Sequence, residues 1–229
     1  MCTLSWRESE QGLEIFFNRD ELKTRSRAEP PRLFTSPSGT RYLAPIDPDG
    51  GGSWMAANEQ GLLICLLNRW HQDAPLATRS RGAVILSLID CQRLEEVANL
   101  LPDLIASTKP FDLIAFSRGK ARGETIGYSW DGLTLTPFAP QRPLTSSSYC
   151  FEKVQATRLA NFSENNGDLE TYHSHPNQSP SAYTVRMNRP DAQTWSRSLV
   201  TISPKGIDWQ YWEEFPDLAN PSQLHRANL

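Results

Sequence analysis

Cys2 and the run Asn18-Arg19-Asp20-Glu21 bring a thiol, an amide, a guanidinium and two carboxylates into the first stretch of the chain. An initiator methionine is normally removed when the next residue is small, and cysteine qualifies, so Cys2 is expected to become the N-terminal residue. Its thiol then sits beside its own α-amine. Unperturbed pKa values of ~7.7–8.0 for the amine and ~8.5 for the thiol let the amine accept the thiol proton near neutral pH. One residue thereby supplies both nucleophile and base. A thiolate needs positive charge nearby, which Arg19 can supply, and a substrate oxyanion needs a donor such as an Asn amide. Asp20 or Glu21 can orient the amine. These features predict that Cys2 is the most reactive of the four thiols near pH 7. The plain alternatives carry weight. A second-position cysteine is commonplace, and "NRDE" alone reads as the solvated end of a strand.

A hairpin is what would bring the cysteine and the run together. Thr3 to Trp6 suits a strand, the polar stretch Glu8 to Gly12 suits a turn, and Leu13 to Phe17 suits a second strand with Ile15 and Phe17 on one face. Neighbouring strand residues point to opposite faces, so which of residues 18–21 face Cys2 stays open. The basic, proline-rich stretch 23–52 reads as a loop with a short strand at Arg41 to Ala44. Ser53 to Ala57 and Leu62 to Leu67 read as strands joined by "NEQG", the second apolar enough to be buried on both faces. Arg81 to Leu101 is the strongest helical region, with Leu94, Val97, Ala98 and Leu101 in register and a break near Asp90-Cys91. Strands follow at Asp112 to Phe116, Glu124 to Trp130 and Leu133 to Pro137, then a helix at Cys150 to Phe162. A polar loop spans 163–182, and closing strands fall at Tyr183 to Met187, Ser198 to Ser203 and Ile207 to Trp212. The tail 215–229 reads as frayed. This order predicts one α+β domain over 1–229, layered and built on antiparallel sheets.

Bulk properties narrow the function classes. A net charge of −3 gives no electrostatic case for nucleic acid. No apolar segment approaches the ~20 residues that span a bilayer, and no export signal is visible, so a cytoplasmic location is expected. Cys2, Cys65, Cys91 and Cys150 form no CxxC and read as thiols. His173 and His175 in "YHSHPN" lack a third ligand at suitable spacing, so no metal is expected, and His173 reads as a loop residue in contact with substrate or solvent. The glycines at 50–52 lack a P-loop's lysine and read as a turn. No cofactor is expected. The partner implied is a small-molecule substrate or ligand.

"MCT", "FFNRDE" and "GGSWMAANEQGLLICLLNR" resemble the NRDE family, the transport and Golgi organisation protein 2 homologues, and "YTVRMNRPDAQTWSRSLVTIS" resembles a late strand pair of that family. The layout is also similar, more distantly, to the cysteine branch of the N-terminal nucleophile hydrolases, represented by bile salt hydrolase and penicillin V acylase. The resemblance implies a four-layer αββα sandwich and hydrolysis of a non-peptide C–N bond, or acyl transfer, on a small amide. It places Cys2 as nucleophile and sets Arg19 and Asp20 nearest the hydrolases' arginine and aspartate, while Asn18 and Glu21 keep the hydrolase spacing with one side chain changed. Asn68 matches an oxyanion-hole asparagine, and Arg197 stands where a late active-site arginine would be. The other class implied is a non-catalytic module of the NRDE family handling haem or an acylated small molecule.

Overall fold

The computed structural model describes residues 1–70, 77–119, 123–174, 181–214 and 222–229. Its strands are β1 (Cys2–Ser9), β2 (Gly12–Leu22), β3 (Glu29–Thr35), β4 (Arg41–Ile46), β5 (Met55–Asn58), β6 (Leu62–Asn68), β7 (Phe111–Ser117), β8 (Glu124–Trp130), β9 (Leu135–Phe138), β10 (Leu144–Ser146), β11 (Ala192–Ser203), β12 (Gly206–Glu213) and β13 (Gln223–Asn228). The helices are α1 (Arg81–Ser87), α2 (Leu94–Leu104), α3 (Phe151–Glu164) and α4 (Leu169–Ser174).

The strands form a six-stranded sheet in the order β10-β1-β2-β11-β12-β13 and a seven-stranded sheet running from β3 to β9 in chain order, every pairing antiparallel. Leu4, Ile15, Phe17, Val200 and Trp209 of the first sheet pack on Leu63, Cys65, Ile114 and Phe116 of the second. Trp6 meets Phe116 edge-on at 5.3 Å between ring centres. On the far side of the second sheet, Leu62, Ile64 and Leu66 bury against Val84 and Ile85 of α1 and Val97 and Leu101 of α2. Helices α3 and α4 cover the outer face of the first sheet. The result is the αββα order of layers. β6 is apolar on both faces because both are covered, one by the other sheet and one by helices.

Several elements depart from the sequence expectations. β3 lies in the stretch read as loop; its prolines at 30 and 31 are tolerated because β3 is an edge strand with a register shift between Glu29 and Arg32. The three-residue β10 is too short to carry a period. Tyr183 to Met187 is not a strand. It is a bent segment held to β11 by the Met187 N–H to Thr194 Oγ1 bond at 2.8 Å and the Thr194 N–H to Met187 carbonyl bond at 2.8 Å. α4 occupies part of the expected polar loop, with Leu169 and Tyr172 buried. Residues 223–228, expected to fray, form β13 and pair with β12 from Asp208 to Glu213.

Candidate active site

The β1–β2 register answers the question left open by strand alternation. Cys2 lies opposite Arg19, Leu4 opposite Phe17 and Trp6 opposite Ile15. Because Leu4, Ile15 and Phe17 belong to the core between the sheets, Arg19 and Glu21 face the same side as Cys2. Asn18 and Asp20 point to the other face, under α3 and α4. Arg19 stacks over the Trp54 indole at 4.4 Å and reaches the carboxylates of Asp47 at 3.4 Å and Glu21 at 3.8 Å.

Cys2 lines a cavity of about 420 Å³ at the end of the inter-sheet core. The lining includes Arg19, Glu21, Arg25, Asp47, Trp54, Asn68, Arg81 and Lys109. Its two walls meet at a glycine contact. A Cβ on Gly52 would lie 2.5 Å from the carbonyl carbon of Gly82, so only glycine lets the 50–54 segment approach the start of α1 this closely. The glycines at 50–52 form the expected turn, closed by the Gly51 N–H to Asp47 carbonyl bond at 2.8 Å.

The N-terminal amine donates to the Asp20 carbonyl at 2.9 Å, and the Asp20 N–H donates to the Met1 carbonyl at 2.8 Å. Asp20 thus brackets residue 1 through its backbone. Its carboxylate turns away, to Arg158 Nη2 at 3.0 Å and the Thr194 hydroxyl at 2.6 Å. Arg158 is fully buried, and its Nη1 donates to Thr3 Oγ1 at 2.5 Å.

Burial pushes the Cys2 thiol up, while the ammonium of Met1 and the Arg19 guanidinium pull the other way; the upward push wins. With Met1 in place the thiol is therefore held protonated at neutral pH. The thiolate expected from the sequence belongs to a chain that starts at Cys2; with Met1 in place, Arg19 is across from Cys2 but the thiol is desolvated. Cys65, beneath it in the core, is raised well above the ordinary thiol value by the same cause.

Asn68 lines the cavity at the end of β6. It shares the parity of Leu62, Ile64 and Leu66, which face α1 and α2, rather than that of Cys65 and Leu67, which share a core with Cys2. Asn68 therefore enters the cavity from the α1 side.

Three expected site residues, Asn18, His173 and Arg197, lie elsewhere. His173 is not on a loop but buried on α4, on the opposite face of the first sheet from Cys2. Its Nδ1 is 2.9 Å from Asn18 Oδ1 and its Nε2 is 2.7 Å from Ser5 Oγ. Asn18 Nδ2 donates to the carbonyls of His173 and Val185, so Oδ1 must accept and Nδ1 carries the proton. Nε2 then accepts from Ser5. The geometry is that of a Ser-His-Asn relay, but all of these side chains are buried and none lines the cavity. Arg197 lies opposite Asn18 on that same outer face and pairs with Glu214 at 2.5 Å. His175 falls outside the described residues. Among the described residues no cluster of His, Cys, Asp and Glu could hold a metal ion.

Sequence reasoning missed Arg158, Arg25, Asp47, Trp54, Arg81 and Lys109. Arg25 and Asp47 lay in the stretch read as loop, and Arg81 was read only as the start of a helix. Arg158 left no signal, because an arginine on the inward face of a helix breaks the apolar pattern used to find that face.

Two antiparallel sheets between helix layers, with a cysteine at the head of a central strand opening on a cavity, define the N-terminal nucleophile hydrolase fold. Solved structures agree. Penicillin V acylase from Agrobacterium tumefaciens superposes with a TM-score of 0.57 at 12% identity, over 100% of this chain and 86% of that one. The C2A mutant of conjugated bile acid hydrolase from Clostridium perfringens gives 0.61 at 15% identity, over 100% and 92%. The Caenorhabditis elegans ortholog of N-acylethanolamine-hydrolyzing acid amidase gives 0.56 at 12% identity, over 96% and 95%. A comparison with curated proteins finds no match. The chain belongs to the Transport and Golgi organisation 2 family, whose profile matches residues 1–132. No helix among the described residues is long and apolar enough to cross a membrane.

Proposed function

We propose that the protein is an N-terminal-cysteine amidohydrolase acting on a small amide, with Cys2 as nucleophile and its own α-amine, exposed by removal of Met1, as base. The observation that carries this reading is the placement of Cys2 in the cavity opposite Arg19. The structural neighbours support it, since those three are named as an acylase, a hydrolase and an amidase.

In the proposed reaction the amine takes the thiol proton and the thiolate attacks the amide carbonyl. The C–N bond then breaks, the ammonium returns its proton to the leaving amine, and an acyl thioester remains on Cys2. Water, deprotonated by the same amine, attacks the thioester, releasing the acid and restoring the thiol. The Asn68 amide is the proposed donor to the oxyanion, reached from the α1 wall. Arg19 stabilises the thiolate. The Asp20 N–H and carbonyl, which exchange hydrogen bonds with Met1, are freed beside Cys2 when Met1 leaves. Met1 removal also takes the amine from the bond to Asp20 and moves it onto the residue that carries the thiol.

The raised Cys2 thiol favours a second reading while Met1 is present: a module that binds a small molecule in the same cavity without turnover. Intact mass of the purified protein, followed by a broad amide and lactone hydrolysis screen, separates the two. Loss of Met1 with turnover that falls at least ~10³-fold in Cys2→Ala supports the hydrolase, by analogy with the loss of other nucleophiles. Retained Met1, or equal rates in wild type and Cys2→Ala, contradicts it.

A further inference from the structure

The charges lining the cavity do not balance. Its carboxylates Glu21, Asp47 and Asp49 all lie within 3.9 Å of Arg19 or Arg25, which they share. Asp20 lines the cavity too, but its carboxylate is spent on Arg158 across the sheet. The two arginines and three carboxylates leave one negative charge. Arg79, Arg81 and Lys109 also line the cavity, and none has a carboxylate within 4.0 Å among the described residues. The lining therefore carries a surplus of positive charge in a chain whose net charge is −3.

The surplus is not evenly available. Arg79 spends Nη1 on the Leu104 carbonyl at 2.8 Å and Nη2 on Ser87 Oγ at 2.9 Å. Arg81 is partly buried and spends Nη1 on the Pro110 carbonyl at 3.0 Å, one residue along the chain from Lys109, and its charge is felt at Cys2 and Glu21. A guanidinium kept out of bulk water without a counter-ion is costly, and an incoming anion relieves that cost. Burial does lower the Arg81 pKa from its ordinary value, and negative charge at Cys2 and Glu21 would act against that.

We propose that Arg81, with the exposed Lys109, forms an anion-binding subsite in the cavity that Cys2 lines, and that the substrate is an amide carrying a carboxylate or phosphate group. Calling the ligand a substrate rests on the amidohydrolase reading; the subsite itself does not.

The test is the alkylation of Cys2 by iodoacetate and iodoacetamide, read by peptide mapping. Both reagents lose iodide to the thiolate, and they differ only in charge. Exposed Cys150 serves as the reference in the same molecule. The expected result is an iodoacetate-to-iodoacetamide rate ratio about tenfold higher at Cys2 than at Cys150, shrinking with added salt. Arg81→Gln should bring the Cys2 ratio close to that of Cys150, Lys109→Gln should lower it in part, and Arg81→Lys should keep most of it. Arg32→Gln, on an exposed edge-strand side chain, should change nothing. A change in thiol acidity alters both rates together and leaves the ratio alone, so a merely structural role for Arg81 would not move it. Equal ratios at Cys2 and Cys150 overturn the subsite. So does a ratio unmoved by both Arg81→Gln and Lys109→Gln, or a Cys2 that neither reagent reaches. If the ratio behaves as expected but no amide is turned over, the subsite stands and the amidohydrolase reading falls.

Discussion

Breaking the Arg158–Asp20 pair should cost more than breaking any other ion pair among the described residues. Both side chains are fully buried, and Nη2 and Oδ2 are 3.0 Å apart. Replacing Arg158 by Met keeps comparable bulk but strands a carboxylate whose remaining side-chain bond is the one from the Thr194 hydroxyl at 2.6 Å. Removing one partner of such a pair typically costs about 3–5 kcal/mol. For a chain of this size each kcal/mol moves the melting midpoint by about 2–4 °C, so Arg158→Met should melt roughly 6–20 °C lower. Asp20→Asn should cost at least as much. It leaves an amide oxygen for Nη2 to bond but removes the only counter-charge, among the described residues, of a buried guanidinium whose Nε already lacks a partner. The double variant, with neither charge present, should lose less than the sum of the two, by about 2 kcal/mol or more. Urea unfolding of the four proteins, fitted with a common slope, measures all of this. A loss under about 1 kcal/mol for Arg158→Met, or additive single losses, would refute the argument that this buried pair holds Asp20 in place.

Other perturbations test the layers around the site. Gly52→Ala should destabilise by about 1–3 kcal/mol by driving a methyl into the Gly82 backbone, and should push the start of α1 off the cavity wall; a stability within about 0.5 kcal/mol of wild type by urea unfolding would deny the close approach. His173 is held well below the ordinary imidazole value by burial, with Arg197 and Arg158 adding to the effect. The folded protein thus excludes a proton that the unfolded chain accepts below about pH 6.5, so this contribution to stability is whole above that pH and is lost as the pH falls beneath it, by up to about 1.4 kcal/mol per unit. Between pH 6.5 and 5.5 the wild type should lose about 1 kcal/mol more than His173→Gln in urea unfolding, and parallel losses in the two would show that His173 does not exclude the proton.

The hairpin and the layered fold were legible in the sequence for one reason: alternation and turn chemistry are local; which of residues 18–21 face Cys2 was not, because that needs the register. Ile15 and Phe17 fixed the inward face of β2, and the register then set Arg19 across from Cys2. What stayed hidden depends on contacts distant in the chain. Arg158 and Asp20 are 138 residues apart, and no short-range pattern announces a buried ion pair. His173 looked exposed because "YHSHPN" is polar, yet each ring nitrogen is satisfied by a residue of the β1–β2 hairpin. The Gly52–Gly82 contact, which shapes the cavity, reads in sequence as one turn glycine and one glycine opening a helix. The desolvation that raises the Cys2 thiol while Met1 is present was not legible either, because neighbouring charges are visible in a sequence and burial is not.

The central claim is that Cys2 forms a covalent acyl intermediate. Incubating Met1-processed protein with p-nitrophenyl acetate, quenching in acid and mapping the acyl group by mass spectrometry tests it most directly. The expected result is acetyl on Cys2, formed in a burst of p-nitrophenol and absent from Cys2→Ala. Acetyl spread over surface lysines with none on Cys2, or release of p-nitrophenol at the same rate by wild type and Cys2→Ala, would contradict it.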